Sequence, residues 1–305
     1  MQRPTDQDTY SAVDAFVEGT LFAQPDEALT AALAATTAAG MPEIQVTAPQ
    51  AHLLAILCRT VNARRILEFG TLGGYSTIAM ARTLPPDGLL TTLEFDPDHA
   101  EVAWENIERA GLADMVDLRI GAALETLPLL ASEGAGNFDF VFIDADKLNT
   151  PAYFAWSLDH TRPGGLIFAD NVIRGGSIVD LEGDEASAAQ RMFHEYLAEE
   201  DRVSATTIQT VGAKGYDGFV LRSSSSAYPP AVPYGPHRSI RNSWARVSGG
   251  ASASTSRPAG TSAGSGTGTL PIRCPPFRSA GWRRSKTAAD LTRTPRCRRR
   301  TSSTV

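Results

Sequence analysis

The chain has 305 residues, 42% of them hydrophobic, with 28 Lys+Arg against 34 Asp+Glu and a formal net charge of −6. That is room for one large or two ordinary domains. Three cysteines without CxxC spacing exclude a disulfide framework or a cysteine zinc site, and no run approaches the roughly 18 apolar residues that span a bilayer.

The opening MQRPTDQDTY carries no apolar signal core, so a soluble, cytoplasmic protein without membrane contact is expected. A helical region is predicted over 8–39, ended by Gly40, and a second helix from Pro49 to about Val61. Short apolar strands then alternate with helical patterns. RRILEFG is followed by a helix over 74–84, LLTTLEF by 97–110, VDLRIG by 123–131, FDFVFID by 151–160 and GLIFADN by 185–200. Such alternation implies parallel βαβ units buried on both faces. SATTIQTV and GFVLR, separated by a Gly-rich turn, predict a terminal antiparallel hairpin. The expected fold class is therefore α/β: a Rossmann-like, doubly wound, mostly parallel seven-stranded sheet with N-terminal helices and a C-terminal tail.

Charge divides the chain at residue 222. Residues 1–222 hold 14 Lys+Arg and 33 Asp+Glu, a net of −19, while 223–305 hold 14 Lys+Arg and one acid, Asp290, a net of +13. The tail is Ser/Thr/Gly/Pro/Arg-rich without apolar period, and reads as disordered. One reading makes it a basic nucleic-acid arm. The favoured one is a frameshift or readthrough product, because GC-rich coding DNA gives this bias in a shifted frame. Residues 1–222 are expected to be the working domain.

LEFGTLGGYS, Leu67 to Ser76, reads as strand, Gly-rich turn and helix start. In open α/β sheets, ligands bind at the carboxyl ends of strands. Gly70, Gly73 and Gly74 let backbone approach a ligand, and the next helix offers free N–H groups. The G-x-x-G-G spacing departs from the G-x-G-x-x-G dinucleotide fingerprint and so weakens a nicotinamide reading. Glu94, at the end of the second strand, can accept both ribose hydroxyls of an adenosine cofactor. Glu68 lies inside an apolar strand, where a bare charge needs a partner. It either orders the Gly loop or meets the ammonium of an amino-acid cofactor.

Asp144 and Asp146 end the fourth strand, and Asp170 and Asn171 the fifth. Adjacent parallel strands would gather Asp144, Asp170 and Asn171 at the edge that carries the Gly loop. Three oxygen-bearing side chains suit a hard divalent cation such as Mg²⁺, and no His or Cys cluster stands nearby to suit zinc. Lys147 follows three residues after Asp144. Read alone, it is a surface lysine pairing with Asp146.

LEFGTLGGYS, TLEFD, VFIDADK and GLIFADNVIRGG resemble the cation-dependent, S-adenosylmethionine-dependent O-methyltransferases of the catechol and caffeoyl-CoA type, and most closely their small bacterial members. The resemblance runs over residues 12–222. It implies that Val46, Glu68, Gly70, Thr71, Ser76, Glu94 and Ala123 contact S-adenosylmethionine. It implies that Asp144, Asp170 and Asn171 ligate the metal and that Lys147 is the general base. The acceptor it implies is a small vicinal-diol phenol, and the assembly a homodimer. Ala145 and Asp146 stand where the catechol enzymes have His and Trp, which leaves Asp146 a structural task. Ala123-Leu124 stands where they have Ser-Gln. No counterpart of their late catechol-binding glutamate is found, which puts catechol itself in doubt as acceptor.

Three rivals remain on the sequence, one of them a non-catalytic metal or cofactor binder, which the intact ligand set and lysine oppose. A nicotinamide-dependent dehydrogenase would share the Gly loop and ribose acid but not the strand-end acids. A methyltransferase of a hydroxylated tRNA base would share everything but the acceptor. The −19 charge of residues 1–222 opposes extensive phosphate contact, so nucleic acid is not the expected partner.

Overall fold

The structure, a computed structural model, describes residues 6–22, 24 and 26–224. The expected disorder of the tail therefore falls outside the described residues from 225 onward. The predicted first helical region is two helices, α1 (Asp6–Leu21) and α2 (Glu27–Ala38). Asp26 caps α2 by accepting the Leu29 N–H at 3.0 Å. α3 (Ala48–Thr60) begins beyond Thr47, whose hydroxyl oxygen accepts the Gln50 N–H.

The alternation predicted from the apolar runs is present: β1 (Arg65–Phe69), α4 (Tyr75–Ala81), β2 (Leu89–Glu94), α5 (Pro97–Arg109), β3 (Val116–Ile120), α6 (Ala123–Ser132), β4 (Phe138–Ile143), α7 (Thr150–His160), β5 (Thr161–Asp170) and α8 (Glu185–Glu199). The chain closes with β6 (Val203–Gly212) and β7 (Gly215–Ser224), a longer hairpin than the apolar runs predicted. β7 also extends two residues past the expected boundary at Arg222. The seven strands lie in the order β3-β2-β1-β4-β5-β7-β6. Six strands run in one direction and β7 alone runs against them, pairing antiparallel with both β5 and β6.

Strand alternation sends successive side chains to two cores. Ile66, Phe140, Phe142 and Phe168 meet α2, α3, α4 and α5 on one face. Leu67, Phe69, Val141, Ile143 and Ile167 meet α6, α7 and α8 on the other. Each such fully buried side chain contributes roughly 1.5–3 kcal/mol, which makes the central strands β1 and β4 the most firmly held part of the sheet. α1 buries no residue of its own. It is tied to the hairpin turn by polar contacts: Gln7 donates to Gly212 O and Ala213 O, and Asp14 accepts the Ala213 N–H at 2.7 Å. Among the described residues no helix is long and apolar enough to cross a membrane.

Candidate active site

The carboxyl ends of β1, β2, β4 and β5 point to one edge of the sheet, where a cavity of about 710 Å³ opens. Gly70 leaves β1 at φ 87 against β4. A side chain there would bring Cβ to 2.3 Å from the Asp144 carbonyl oxygen. Gly73 is equally constrained from behind, since its Cβ would meet the Thr36 hydroxyl of α2. Of the three loop glycines only Gly70 lines the cavity. The others serve close packing of the turn onto the protein rather than approach of a ligand.

Glu94 organises the turn. Its Oε2 accepts the N–H groups of Thr71 at 3.0 Å and Leu72 at 2.8 Å, and its Oε1 accepts that of Asp96. Leu72 stands at φ 50, a conformation rarely used outside glycine, and the carboxylate holds it there. Glu68 does the same for the helix that follows. Fully buried, it accepts hydroxyl hydrogens from Ser76 at 2.6 Å and Thr77 at 2.5 Å. Burial pushes its carboxyl up to about 7, against the pull of those hydrogen bonds. These partners belong to α4 and not to the Gly turn itself.

At the next strand ends, Lys147 Nζ donates to Asp144 Oδ1 at 2.7 Å. The pairing with Asp146 expected of an ordinary surface lysine is not made. Asp146 instead accepts from Asn149, both backbone N–H and side chain, and from the Tyr153 hydroxyl, which fastens the turn into α7. Asp170, almost wholly buried, accepts from Gln50 Nε2 at 2.5 Å and from the Asn171 N–H at 2.9 Å. Burial pushes its carboxyl up to about 7, with the Asp144 charge adding to the rise and the Lys147 charge opposing it. Asn171 sits at φ 56, which asparagine tolerates better than most residues.

Val46, Gly70, Thr71, Ser76, Glu94, Ala123, Asp144, Lys147 and Asn171 all line the cavity. Glu68 and Asp170 lie behind it. Two adjacent carboxylates and an amide form a hard-oxygen set whose mutual repulsion a cation relieves, so the residues fit a divalent ion of the Mg²⁺ kind.

Three residues that brace the site without lining the cavity carried no sequence signal. Gln50 reaches Asp170 across 120 positions. Asp217 Oδ1 accepts the N–H groups of Ile173, Arg174 and Gly218, each at 2.9 Å, and so fastens the segment after Asn171 to β7. Lys214, in the hairpin turn, donates to the carbonyls of Glu43 and Gln45 and holds the wall Ile44–Val46. Burial pulls its ammonium pKa below the ordinary lysine range, although the Asp144, Glu43 and Asp170 charges act the other way.

A parallel sheet with the single strand β7 reversed, a carboxylate-held Gly turn at β1 and an acid pair at the neighbouring strand ends define an adenosine-cofactor enzyme of the methyl-transfer class. Comparison with known proteins agrees: residues 22–221 match the O-methyltransferase family, and the chain belongs to it. It is 51% identical over 209 residues to a catechol O-methyltransferase of Mycobacterium tuberculosis, covering 68% of this chain and 93% of that protein. It is 48% identical over 213 residues to a catechol O-methyltransferase of Niastella koreensis, covering 70% of this chain and 96% of that one. Among solved structures, the O-methyltransferase from Bacillus cereus in complex with SAH superposes with a TM-score of 0.70 at 46% identity. That match covers 72% of this chain and all of the other. The protein is an S-adenosylmethionine-dependent O-methyltransferase.

Proposed function

We propose that the chain methylates one hydroxyl of a small vicinal-diol phenol, with a divalent cation and a lysine base. The observation that carries this reading is the Lys147–Asp144 pair, set with Asn171 in the cavity that the Glu94-held turn also lines. Val46, Gly70, Thr71, Ser76, Glu94 and Ala123 would form the cofactor wall. Glu94 has oxygens oriented toward the turn and a ribose-accepting chemistry, while Glu68 keeps the turn's helix in place from behind.

Asp144, Asp170 and Asn171 would hold the cation. When bound, it supplies Lewis acidity that lowers the pKa of the paired hydroxyls. Lys147 would take the hydroxyl proton at Nζ, and the methyl carbon would pass from the sulfonium sulfur to the phenolic oxygen, leaving S-adenosylhomocysteine. In the structure Nζ is held by Asp144, so the base must first give up that carboxylate. Alignment of oxygen and methyl in a closed cavity can contribute up to roughly 7–11 kcal/mol in the best intramolecular cases, which makes positioning a principal term.

The test is a methyl-transfer assay on a vicinal diphenol and on its single-hydroxyl analogue, each with Mg²⁺ and with chelator. Transfer confined to the diol with Mg²⁺ supports the reading. Equal transfer to both, indifferent to chelator, overturns it.

A further inference from the structure

Three cavity-lining residues carry basic side chains among the described residues: His99, Lys147 and Arg174. His99 Nδ1 lies 3.9 Å from Glu94, and Lys147 is bonded to Asp144. Arg174 has no acid within ion-pair distance. Its Nε is closed off from solvent and has no hydrogen-bond partner. Where acids outnumber bases by more than two to one, leaving a half-buried guanidinium unmatched is costly; Arg222, on β7 and away from the cavity lining, is the other arginine among the described residues with enclosed, unpartnered nitrogens. Arg64, Arg82, Arg119, Arg162 and Arg202 all pair with carboxylates. The acid whose titration Arg174 touches, Asp184, is exposed and accepts the Ser187 N–H as the cap of α8.

The backbone beneath Arg174 is also held in place. It stands at φ 57, followed by Gly175 at 62 and Gly176 at 92, so three successive residues are left-handed. Such strain persists only where surrounding bonds over-determine it. Asp217 supplies those bonds through the Ile173 and Arg174 N–H groups, and the Ser177 hydroxyl donates to the Arg174 carbonyl. The side chain therefore leaves a fixed anchor three residues from Asn171, at the acceptor end of the cavity.

We infer that Arg174 binds a carboxylate on the acceptor, so that the substrate class is vicinal-dihydroxy aromatic acids rather than neutral catechols. The inference rests on the vicinal-diol reading above. A planar guanidinium meets a carboxylate with two parallel N–H···O bonds, and the two Nη groups of Arg174 are the donors an acceptor in the cavity can reach. A coenzyme A thioester fits less well. Its several phosphate charges would face one guanidinium and the lining acids Glu94, Asp144 and Asp146.

Calorimetric titration of the whole protein, with S-adenosylhomocysteine and Mg²⁺ present, tests this without turnover. The probes are 3,4-dihydroxybenzoate, its methyl ester and free coenzyme A. Wild type should bind the acid at least tenfold more tightly than the ester. Arg174→Met should abolish that preference while still binding the ester, and Arg174→Lys should keep only part of it. Should the Met variant bind neither probe, the Lys variant decides, since a merely structural role would leave its acid-to-ester ratio at the wild-type value. Equal binding of acid and ester by wild type, no binding of either probe by wild type, tighter wild-type binding of coenzyme A, or a preference that survives in Arg174→Met overturns the inference. Methyl transfer is scored separately. An acid bound with preference but never methylated would sink the proposed function and leave the Arg174 assignment standing.

Discussion

Gly70 and Asp144 touch: a Cβ on the glycine would stand 2.3 Å from the Asp144 carbonyl oxygen. The turn on the cofactor side and the strand end bearing the first acid are thus packed through a residue with no side chain. Gly70→Ala must both adopt φ near 87, costing roughly 1–2 kcal/mol, and displace backbone. The expected result is an unfolding midpoint lower by several degrees and weaker S-adenosylhomocysteine binding, read by thermal denaturation and calorimetry. An alanine variant matching wild type in both would show that the contact is dispensable.

Asp144→Ala should reduce Mg²⁺-dependent transfer by roughly a hundredfold or more, since several kcal/mol of charge stabilisation are at stake. Wild type in chelator should fall to the same level. The variant's unfolding midpoint should stay near the wild-type value, because losing the Asp144 bond to Lys147 is offset by losing its repulsion of Asp170. Full wild-type activity in chelator would remove the cation from the mechanism.

Lys147→Ala should lower turnover by about 10²–10⁴, the usual contribution of a positioned base, with cofactor affinity nearly intact. Lys147→Arg should not rescue it, because a guanidinium keeps its proton. Steady-state rates for the two variants decide the point, and an arginine variant as fast as wild type would exclude proton acceptance at this position.

Glu68 predicts a pH dependence of stability. Its folded carboxyl titrates at about 7 against an ordinary 4.5, and burial is the cause. Between those values the folded chain holds a proton that the unfolded chain has lost. Its contribution is therefore most favourable below about 4.5, declines as pH rises to about 7, and is constant above. At about 1.4 kcal/mol per pH unit, the decline is on the order of 3 kcal/mol. Glu68→Gln should remove it, so urea unfolding at about pH 5 and pH 8 should show the variant gaining on wild type at the higher pH. A stability difference that does not change with pH would mean that Glu68 is ionised throughout.

Much of the fold was legible because its signals are local. Apolar runs such as Phe138–Ile143 marked strands, and Thr47 and Asp26 stand where helices begin. The turn at Gly70 and the acids at 94, 144 and 170 were legible because strand ends are where α/β sheets expose chemistry. Lengths were less so. β6 exposes Ser204, Ala205 and Thr206 and lacks a strong apolar alternation, so its full extent depends on pairing with β7. Gln50, Asp217 and Lys214 were invisible because each acts across more than 40 positions, and a polar residue in sequence does not declare its distant partner. Arg174 was quoted within a motif, but its lack of a partner is a property of the folded surroundings.

The insertion of β7 between β5 and β6 fixes an order of assembly. β5 and β6 are both synthesised before β7, yet neither can take its final neighbour until β7 emerges. Asp217, which anchors Ile173 and Arg174, travels on that strand. The parallel half, with the Gly70 turn and Glu94, draws on residues that leave the ribosome much earlier, and chains generally consolidate from the N-terminus. A nascent chain can therefore close the turn at Gly70 onto Glu94 before the segment after Asn171 is fastened. An interrupted product short of residue 217 would lack the carboxylate that holds Ile173 and Arg174 in place.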